Sequence, residues 1–593
     1  MSINRKEKRH EYTRGAEVMR HEFGLYFSAL YFSFMIALIA GLGTSVFVFN
    51  ALLEANEGEV MLKRIAAEFN VATGKSQDKV VYEVGKGAAK KVYEVPSAAL
   101  LEITAKPWAS IKSKMWISAG VSLVCAIALF FITNGAWRRF GRNVGADEVV
   151  RGSEFVEASA VRKELKQGDK TSGVTFGGVP LEKGKEVLNM MVSGAIGTGK
   201  SVAITEALVQ IRASKTKAII YDPSGEYIER FYRDGKDVIL NPFDERSPPW
   251  RPWNEVRSDF DYANVAEAFI PVSNAKEPFW EQGAQMVLED ILSRLAKSGQ
   301  ATNRALIETI NILTLEEIQA LVQGLAAGVL MDPAASKTAL GIRMNVVQAS
   351  RALRFVSDGG DECQFSIRDW VTKADEDSWL FMSAREDMLP TVRPMITAWM
   401  DTALRAIMTL PPDRNRLIWN VVDELASLNK VSTLKEVTTR ARKYGLASLL
   451  GYQNIAQLRE IYGNNDAQTI VSMCQNTLTL RVPDFQTAEY IAKNLGEQEL
   501  NERDENISYG ADATRDGVTI TTKRGTRALV TPSEIQGLPD LTGFIRLAGR
   551  NDVIKIKLEY KTHPVIARAF VPRVMSEYSL EVDGVEAAKA GAA

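Results

Sequence analysis

Residues 193–202 read SGAIGTGKSV, and their types and spacing are those of a loop that binds phosphate. Gly194, then four residues, then Gly199, Lys200 and Ser201 match the complete P-loop pattern. Small residues let the backbone N–H groups of such a loop turn toward the phosphates of a nucleotide. The residues that we expect to bind a nucleotide are Gly194, Ala195, Ile196, Gly197, Thr198, Gly199, Lys200 and Ser201.

The segments on either side of this loop provide the context that the pattern needs. EVLNMMVS, before the loop, is short and apolar like a buried strand, and VAITEALVQIRAS, after it, has helical spacing. The new helix places its positive end at the phosphates. We therefore expect Lys200 to reach the β and γ phosphates and Ser201 to hold Mg²⁺.

Two adjacent acids lie far downstream, in RLIWNVVDELASL. The apolar run from Leu417 to Val422 predicts a strand that ends at Asp423 and Glu424. Asp423 can bind Mg²⁺ through water and Glu424 can polarise an attacking water, a pattern typical of an ATPase. The alternative interpretation is an acid pair that begins a helix. No guanine-recognition motif stands out in the sequence, so ATP is the expected nucleotide.

Polar residues also flank the next apolar run, LASLLGYQNIAQL. Gln453 and Gln457 follow this predicted strand, where a glutamine can sense the γ phosphate or orient water. Arg440 and Arg442 precede the strand in TRARKYG, and an arginine of a P-loop motor can reach the site of a neighbouring subunit. A solvated helix face is the alternative for both arginines.

Two uncharged apolar runs near the N-terminus predict membrane spans at 23–49 and 115–137. Buried core helices are one alternative, and a cleaved signal peptide is another for the first run. Arginines and lysines precede the first span, and an arginine cluster follows the second, so both flanks are predicted to be cytoplasmic. The polar segment 50–114 would face the periplasm. It also contains lysines, and the nucleotide site therefore decides the orientation, because ATP is in the cytosol.

Composition restricts the remaining functions. The net charge of −1 over 593 residues gives no overall basic character, so a contact with nucleic acid must come from a local ring, channel or loop. Cys125, Cys363 and Cys474 are far apart in the sequence. They predict neither a disulfide framework nor a metal site.

A series of motifs follows in a fixed order along the chain. The motifs are FGGVPL (176–181), GAIGTGKS, YDPSGEY (221–227), NPFDERSPPWRPWNE (241–255), PFW (278–280), VVDELASL, ARKYGLASLLGYQNIAQLREIYG and LVTPSEIQGLP. In this order, and behind two N-terminal spans, they resemble the type IV coupling proteins of the TraD and TrwB branch. These are inner-membrane ATPases of bacterial conjugation, related to FtsK-type DNA translocases. One departure is Ser224, where many relatives have lysine in a DPKGE motif.

The resemblance implies roles for the residues above and a fold for the chain. Lys200 and its loop would bind nucleotide and metal, Asp423 and Glu424 would be the Walker B acids, Gln453 the sensor, and Arg442 the inter-subunit arginine. The implied fold is α/β, a P-loop RecA/FtsK-like doubly wound parallel sheet with an inserted all-α domain, preceded by two transmembrane helices. The predicted boundaries are 1–22 cytoplasmic, 23–49 first span, 50–114 periplasmic, 115–137 second span, 138–257 nucleotide-binding domain, 258–358 all-α domain, 359–572 second part of the nucleotide-binding domain, and 573–593 flexible tail.

The resemblance also implies a function. A homo-hexamer in the bacterial inner membrane, with cytoplasmic N- and C-terminal parts, would use ATP and Mg²⁺ to drive single-stranded DNA and its relaxase from the relaxosome into a type IV secretion channel. Trp280 in the inserted domain would either face the central channel or fill an interface. Two alternative functions are a docking receptor for secreted protein effectors and an FtsK-like translocase of double-stranded DNA.

Overall fold

The computed structural model describes residues 5–54, 56–84, 91–144, 148–272, 278–360, 365–373, 377–508 and 517–574. The predicted flexible tail, 573–593, lies outside these residues from position 575 onward. The chain divides into two compact units. The first unit is Met1–Glu148 with Asn501–Lys523, and the second is Val149–Leu500 with Arg524–Ala593.

Two long helices dominate the first unit. Each contains a stretch that is long and apolar enough to cross a membrane, Tyr26–Leu52 in the first helix and Ala105–Arg139 in the second. The predicted spans lie within these helices, which continue beyond them at both ends. The elements of this part of the chain are α1 (Arg5–Leu52), α2 (Glu57–Ala72), β1 (Lys79–Val84), β2 (Lys91–Pro96), α3 (Ser97–Ile103) and α4 (Ala105–Val144).

Helices α1 and α4 pack closely where both have small residues. A Cβ atom at Gly41 would lie 3.2 Å from the Cβ atom of Ala126, so a larger residue here would force the two helices slightly apart. The hydroxyl of Ser122 donates a hydrogen bond to the carbonyl oxygen of Gly41 at 2.5 Å. Small residues and an interhelical hydrogen bond are the usual means of association for helices in lipid.

The segment between these helices is folded. Strands β1 and β2 pair in antiparallel register, from Lys79 opposite Pro96 to Val84 opposite Lys91. The guanidinium of Arg64 donates to the carbonyl oxygen of Leu101 at 2.8 Å. This organisation goes beyond the polar insert expected from the sequence.

The second unit is built on a nine-stranded sheet. Its strand order is β16-β15-β12-β6-β11-β10-β7-β9-β8. From β12 to β8 all neighbours run parallel, whereas β15 pairs antiparallel with both β12 and β16. The strands from residue 148 onward are β3 (Glu148–Gly152), β4 (Thr171–Phe176), β5 (Val179–Glu182), β6 (Met190–Ser193), β7 (Lys217–Asp222), β8 (Val238–Leu240), β9 (Trp379–Ser383), β10 (Ile418–Val422), β11 (Leu446–Tyr452), β12 (Asn476–Thr479), β13 (Glu497–Ser508), β14 (Gly517–Ala528), β15 (Thr542–Arg546) and β16 (Ile554–Lys557).

Both faces of this sheet are covered. In β7, Ile219 and Tyr221 join one hydrophobic core, and Ala218 and Ile220 join the other. Strands with two buried faces are apolar throughout, which is the pattern of a doubly wound α/β sheet. The helices from residue 158 onward are α5 (Ala158–Gln167), α6 (Lys200–Ala213), α7 (Glu226–Phe231), α8 (Asp261–Phe269), α9 (Phe279–Lys297), α10 (Asn303–Asn311), α11 (Leu315–Leu321), α12 (Ala326–Leu330), α13 (Ser336–Ser350), α14 (Ile367–Thr372), α15 (Leu389–Met408), α16 (Leu434–Arg440), α17 (Ile455–Tyr462), α18 (Asn464–Met473), α19 (Phe485–Leu495) and α20 (Pro532–Gln536).

The inserted segment is helical. Between 258 and 358, leaving aside 273–277, the residues form helices and turns but no strand. Trp280 of α9 lies against α13, because a Cβ atom at Gly341 would be 2.7 Å from the Trp280 ring. The same side chain is 39% exposed, so it both packs and faces solvent.

The predicted fold class is confirmed, with one correction. The P-loop sheet, its two helical faces and the helical insertion are present, but the sheet is not parallel throughout, because β15 and β16 extend it as an antiparallel pair. These two strands follow α20 directly and are joined by a short connection, which permits antiparallel pairing only. The domain boundaries stay predictions.

Candidate nucleotide-binding site

Three adjacent strands bring the predicted site residues to one edge of the sheet. The order β6-β11-β10 places the end of the strand before the P-loop beside the strand before Gln453 and the strand before Asp423. In register, Ser193 lies opposite Tyr452, and Leu450 lies opposite Val422. Because these strands are parallel, their carboxyl ends meet, which is where ligands bind in open α/β sheets.

The P-loop has the backbone conformation that its glycines allow. Gly197 has φ 78° and Gly199 has φ 111°, both in the left-handed region that disfavours other residues. A Cβ atom at Gly194 would lie 2.8 Å from the hydroxyl oxygen of Thr198. Helix α6 begins after Gly199 without a side-chain cap, so its first N–H groups point toward an open loop. This is the geometry of an anion site at a helix N-terminus.

Distant parts of the chain hold the loop in place. The N–H group of Ala195 donates to the carbonyl oxygen of Arg481 at 3.0 Å, and the N–H group of Leu541 donates to the carbonyl oxygen of Thr198 at 2.9 Å. Ile196 at the tip is 85% exposed. The loop is therefore anchored at its base and open at its tip.

Lys200 contacts both predicted acids. Its Nζ atom donates to the carbonyl oxygen of Asp423 at 2.7 Å and to Oε2 of Glu424 at 2.8 Å, and lies 3.3 Å from Oδ1 of Asp423. The lysine side chain is only 8% exposed. Removal of Lys200 would leave both carboxylates without the cation that they share.

Gly451 in β11 lets the acid-bearing strand approach this closely. A Cβ atom at this position would lie 2.0 Å from the carbonyl oxygen of Asp423. No side chain fits in that space, so the residue before Tyr452 must be glycine for β10 and β11 to keep their spacing. No local pattern in the sequence points to this glycine.

The motif YDPSGEY forms a tight turn beside Asp423. The carboxylate of Asp222, at the end of β7, accepts hydrogen bonds from the N–H groups of Gly225, Tyr227 and Ile228 at 2.8–2.9 Å and from the hydroxyl of Ser224 at 3.2 Å. Burial raises the pKa of Asp222 to about 6, although these donors oppose the shift. Asp222 thus fixes the start of α7.

Tyr227, the last residue of this motif, lies near the predicted acid Asp423. Its hydroxyl is buried and makes no hydrogen bond to any residue that the structure describes. Burial, followed by the nearby carboxylates of Asp423 and Asp222, raises the pKa of Tyr227 well above its ordinary value near 10. The motif belongs to the family resemblance, but no local pattern gives this tyrosine a role.

A cavity of about 500 Å³ opens beside the first turn of α6. Ser201 and Val202 form one wall, and Arg162, Lys557 and Tyr560 contribute to the others. Drug-sized ligands occupy cavities of this size. Of the residues that were predicted to bind the nucleotide, Ser201 alone is among those that line this cavity.

The two remaining predicted residues differ in position. Gln453 directly follows Tyr452, whose carbonyl oxygen accepts from the N–H group of Gly194 at 3.3 Å, so it adjoins the P-loop. Arg442 is exposed in the short turn Ala441–Tyr444, just before β11 begins. The seven residues of β11 span about 23 Å, which places Arg442 at the opposite edge of the sheet from Lys200.

The site fits a nucleotide with Mg²⁺ rather than a metal held by protein alone. No group of three or more His, Cys, Asp or Glu residues suited to a metal ion occurs in the described part of the chain. Mg²⁺ is typically bound through one or two carboxylates together with phosphates and water. Ser201 and Asp423 at the mouth of the P-loop supply that limited set.

Comparison with known proteins agrees with this geometry. Residues 173–559 match the family described as the type IV secretion-system coupling protein DNA-binding domain. The chain belongs to this family. Coupling protein TraD of Escherichia coli K12 is 32% identical over 464 residues, which cover 77% of this chain and 64% of TraD. The matched region thus spans less than two thirds of that relative.

Solved coupling-protein structures share the fold of the second unit. The unbound coupling protein TrwBdeltaN70 has a TM-score of 0.65 and 31% identity, covering 72% of this chain and 97% of its own. TrwB in complex with ADP and Mg²⁺ matches with the same TM-score and identity, covering 72% and 98%. The fold that surrounds Lys200 and Asp423 is therefore the fold of a coupling protein that binds a nucleotide and Mg²⁺.

Proposed function

We propose that this protein is a Mg²⁺-dependent ATPase that drives conjugative DNA transfer. The single observation that carries the proposal is the contact of Lys200 with both Asp423 and Glu424 beneath an open P-loop. TrwB, a relative of similar fold, has been solved with ADP and Mg²⁺. That complex supports the same ligands for this chain.

The chemistry follows from the positions of the side chains. The triphosphate would lie on the loop and α6, attract the ammonium of Lys200 and draw it away from the carboxylates. Glu424 would then be free to accept a proton from the attacking water, because its Oε1 atom is buried without a hydrogen-bond partner in the described residues. Bound Mg²⁺ neutralises phosphate charge, and Ser201 with Asp423 would hold it. Gln453 is placed to sense the γ phosphate.

We assign Arg442 a role across a subunit boundary. Its position at the amino end of β11, opposite the P-loop edge, keeps it from the nucleotide of its own chain. An arginine presented to the neighbour's site in a homo-hexameric ring would stabilise the transition state there. Arg442 can therefore be catalytic although it lies far from Lys200 of its own chain.

The first unit anchors the ring in the bacterial inner membrane. Helices α1 and α4 would cross it, leaving the N-terminal residues and the whole second unit in the cytoplasm. The folded segment from α2 to α3 would face the periplasm. In that position it can contact parts of a type IV secretion channel.

The proposed substrate is single-stranded DNA carried with its relaxase. The matched family is described by a DNA-binding domain, and this supports nucleic acid as the cargo. Because the net charge of the chain is −1, contacts with the phosphate backbone of the DNA must come from groups concentrated in the central channel of the ring. The relaxosome would deliver the strand and the secretion channel would receive it.

The decisive experiment measures ATP hydrolysis by the full-length protein in detergent, with and without single-stranded DNA. We expect DNA to stimulate hydrolysis and Lys200→Ala to lower it about a hundredfold. Hydrolysis that DNA does not change would favour a docking receptor for protein effectors. Stimulation by double-stranded DNA alone would favour an FtsK-like translocase.

A further inference from the structure

We infer that Tyr227 is a positioning residue for Asp423. Its hydroxyl donates a hydrogen bond to the Asp423 carboxylate once Lys200 turns to the phosphates, and so holds that carboxylate in the orientation that receives Mg²⁺. The inference rests on the proposed nucleotide site. It adds a residue that neither the P-loop nor the acid pair contains.

The backbone places Tyr227 beside Asp423. Strands β7 and β10 are parallel neighbours with Tyr221 opposite Val422, so the next residue of each strand, Asp222 and Asp423, leave the sheet side by side. The Asp222 carboxylate then binds the N–H group of Tyr227 at 2.8 Å. This bond fixes the first turn of α7 over the end of β10.

Packing alone does not explain why residue 227 carries a hydroxyl group. A buried hydroxyl without a partner is unfavourable, and phenylalanine would fill the same space without that penalty. Yet the Tyr227 hydroxyl and the Oδ1 atom of Asp423 are both buried, and neither makes a hydrogen bond in the described residues. The hydroxyl, which is close enough to Asp423 for that carboxylate to raise its pKa, can therefore donate to Oδ1 when the ammonium of Lys200 moves away.

Lys200 competes with the Tyr227 hydroxyl for Asp423 before nucleotide binds. Its ammonium lies 3.3 Å from Oδ1 of Asp423 and neutralises the carboxylate. When the phosphates attract the lysine, Asp423 and Glu424 remain as adjacent buried carboxylates. The Tyr227 hydroxyl then supplies the hydrogen bond that orients Asp423. Groups that orient a metal-binding carboxylate in this way raise metal affinity.

The test measures the affinity of full-length protein for a fluorescent ADP analogue, in Mg²⁺ and in EDTA. In wild-type protein Mg²⁺ should increase the affinity. In Tyr227→Phe we expect this increase to fall about tenfold while the affinity in EDTA is unchanged. Tyr462→Phe is the matched control, because Tyr462 is buried and its hydroxyl accepts only a long bond, 3.4 Å, from the N–H group of Val431.

A double-mutant cycle separates positioning from packing. If Tyr227 acts through Asp423, Tyr227→Phe should have no further effect on the Mg²⁺ increment in an Asp423→Asn background. An additive loss, or a normal increment in Tyr227→Phe, would overturn the inference alone. Wild-type protein that binds the nucleotide with no gain from Mg²⁺ would overturn the proposed function as well.

Discussion

The Nζ atom of Lys200 lies 2.8 Å from Oε2 of Glu424, so the phosphate-binding lysine and the proposed base are paired with each other. Lys200 is buried and Glu424 is largely so, and each compensates the charge of the other. A triphosphate that attracts the lysine therefore also releases the carboxylate. Nucleotide binding and activation of the base become one event.

Glu424→Gln separates binding from hydrolysis. Glutamine keeps an oxygen that can accept from Lys200 but cannot take a proton from water, so kcat should fall about a hundredfold or more. Affinity for ATP should stay within about threefold, because the phosphate contacts are intact. Steady-state hydrolysis and equilibrium binding by the full-length protein measure the two effects. Glu436→Gln on α16 is a surface control, and equal losses in both variants would refute the assignment.

Arg442→Ala should lower kcat about a thousandfold without weakening ATP binding. Arg440→Ala is the matched control, because Arg440 is an exposed arginine only two residues earlier. Arg442 lies at the amino end of β11, away from the P-loop of its own chain, so the loss should appear only in assembled rings.

Mixed rings test the same arginine across subunits. Arg442→Ala subunits keep Lys200, and Lys200→Ala subunits keep Arg442. Co-expression of the two variants should restore part of the activity that each lacks alone, since some interfaces then combine both intact residues. Activity that stays at the level of the separate variants would exclude action between subunits.

Gly451→Ala should destabilise the second unit by about 1–3 kcal/mol, because its Cβ atom would overlap the carbonyl oxygen of Asp423. Gly173→Ala is the control, since nothing lies within 4 Å of a Cβ atom there. Urea unfolding in detergent compares the two. A neutral Gly451→Ala would mean that β10 and β11 lie farther apart than this contact requires.

We expect the ion pairs of Asp377 to make the protein less stable in acid. The hydrogen bond from Arg233, with a smaller contribution from Lys236, lowers the pKa of Asp377 to about 2 against the opposing effect of burial. A carboxyl whose folded pKa is depressed stabilises the protein above its unfolded pKa near 4, and this contribution disappears as pH falls toward 2. The free energy of unfolding of wild-type protein, relative to Asp377→Asn, should therefore decrease by about 1 kcal/mol between pH 6 and pH 3. Asp387→Asn, in an exposed pair with Arg385, should show no such change.

Short-range patterns made the core of the site predictable. The P-loop spacing and the acid pair at the end of an apolar run located Lys200, Asp423 and Glu424, and the structure brings all three together. The role of Tyr227 was not predicted, because its neighbour Asp423 follows a strand almost two hundred residues later in the sequence. Only the register of β7 against β10 creates that contact. The register of two strands that are distant in the sequence produces no local periodic pattern.

Two other features, the role of Gly451 and the pairing of β1 with β2, were also not predicted from the sequence. Gly451 lies within an apolar strand. Glycine is required there because a carbonyl oxygen of the next strand occupies the place of a Cβ atom. The hairpin of β1 and β2 lies in a polar segment whose alternation is too short to distinguish from a loop. The sequence also indicated a parallel sheet, because the antiparallel pair β15–β16 has no motif of its own.

The hydrogen bond from Leu541 to Thr198 ties the P-loop to a residue that is synthesised long after the loop itself. A ribosome that adds about 10 residues per second needs roughly 30 s to reach Leu541 after it has made the P-loop. Until then the loop lacks one of the two contacts at its base, the other being the hydrogen bond from Ala195 to Arg481. The fully anchored loop therefore forms only after the chain has reached residue 541. A chain that stops before that residue would keep the P-loop motif but lack this contact.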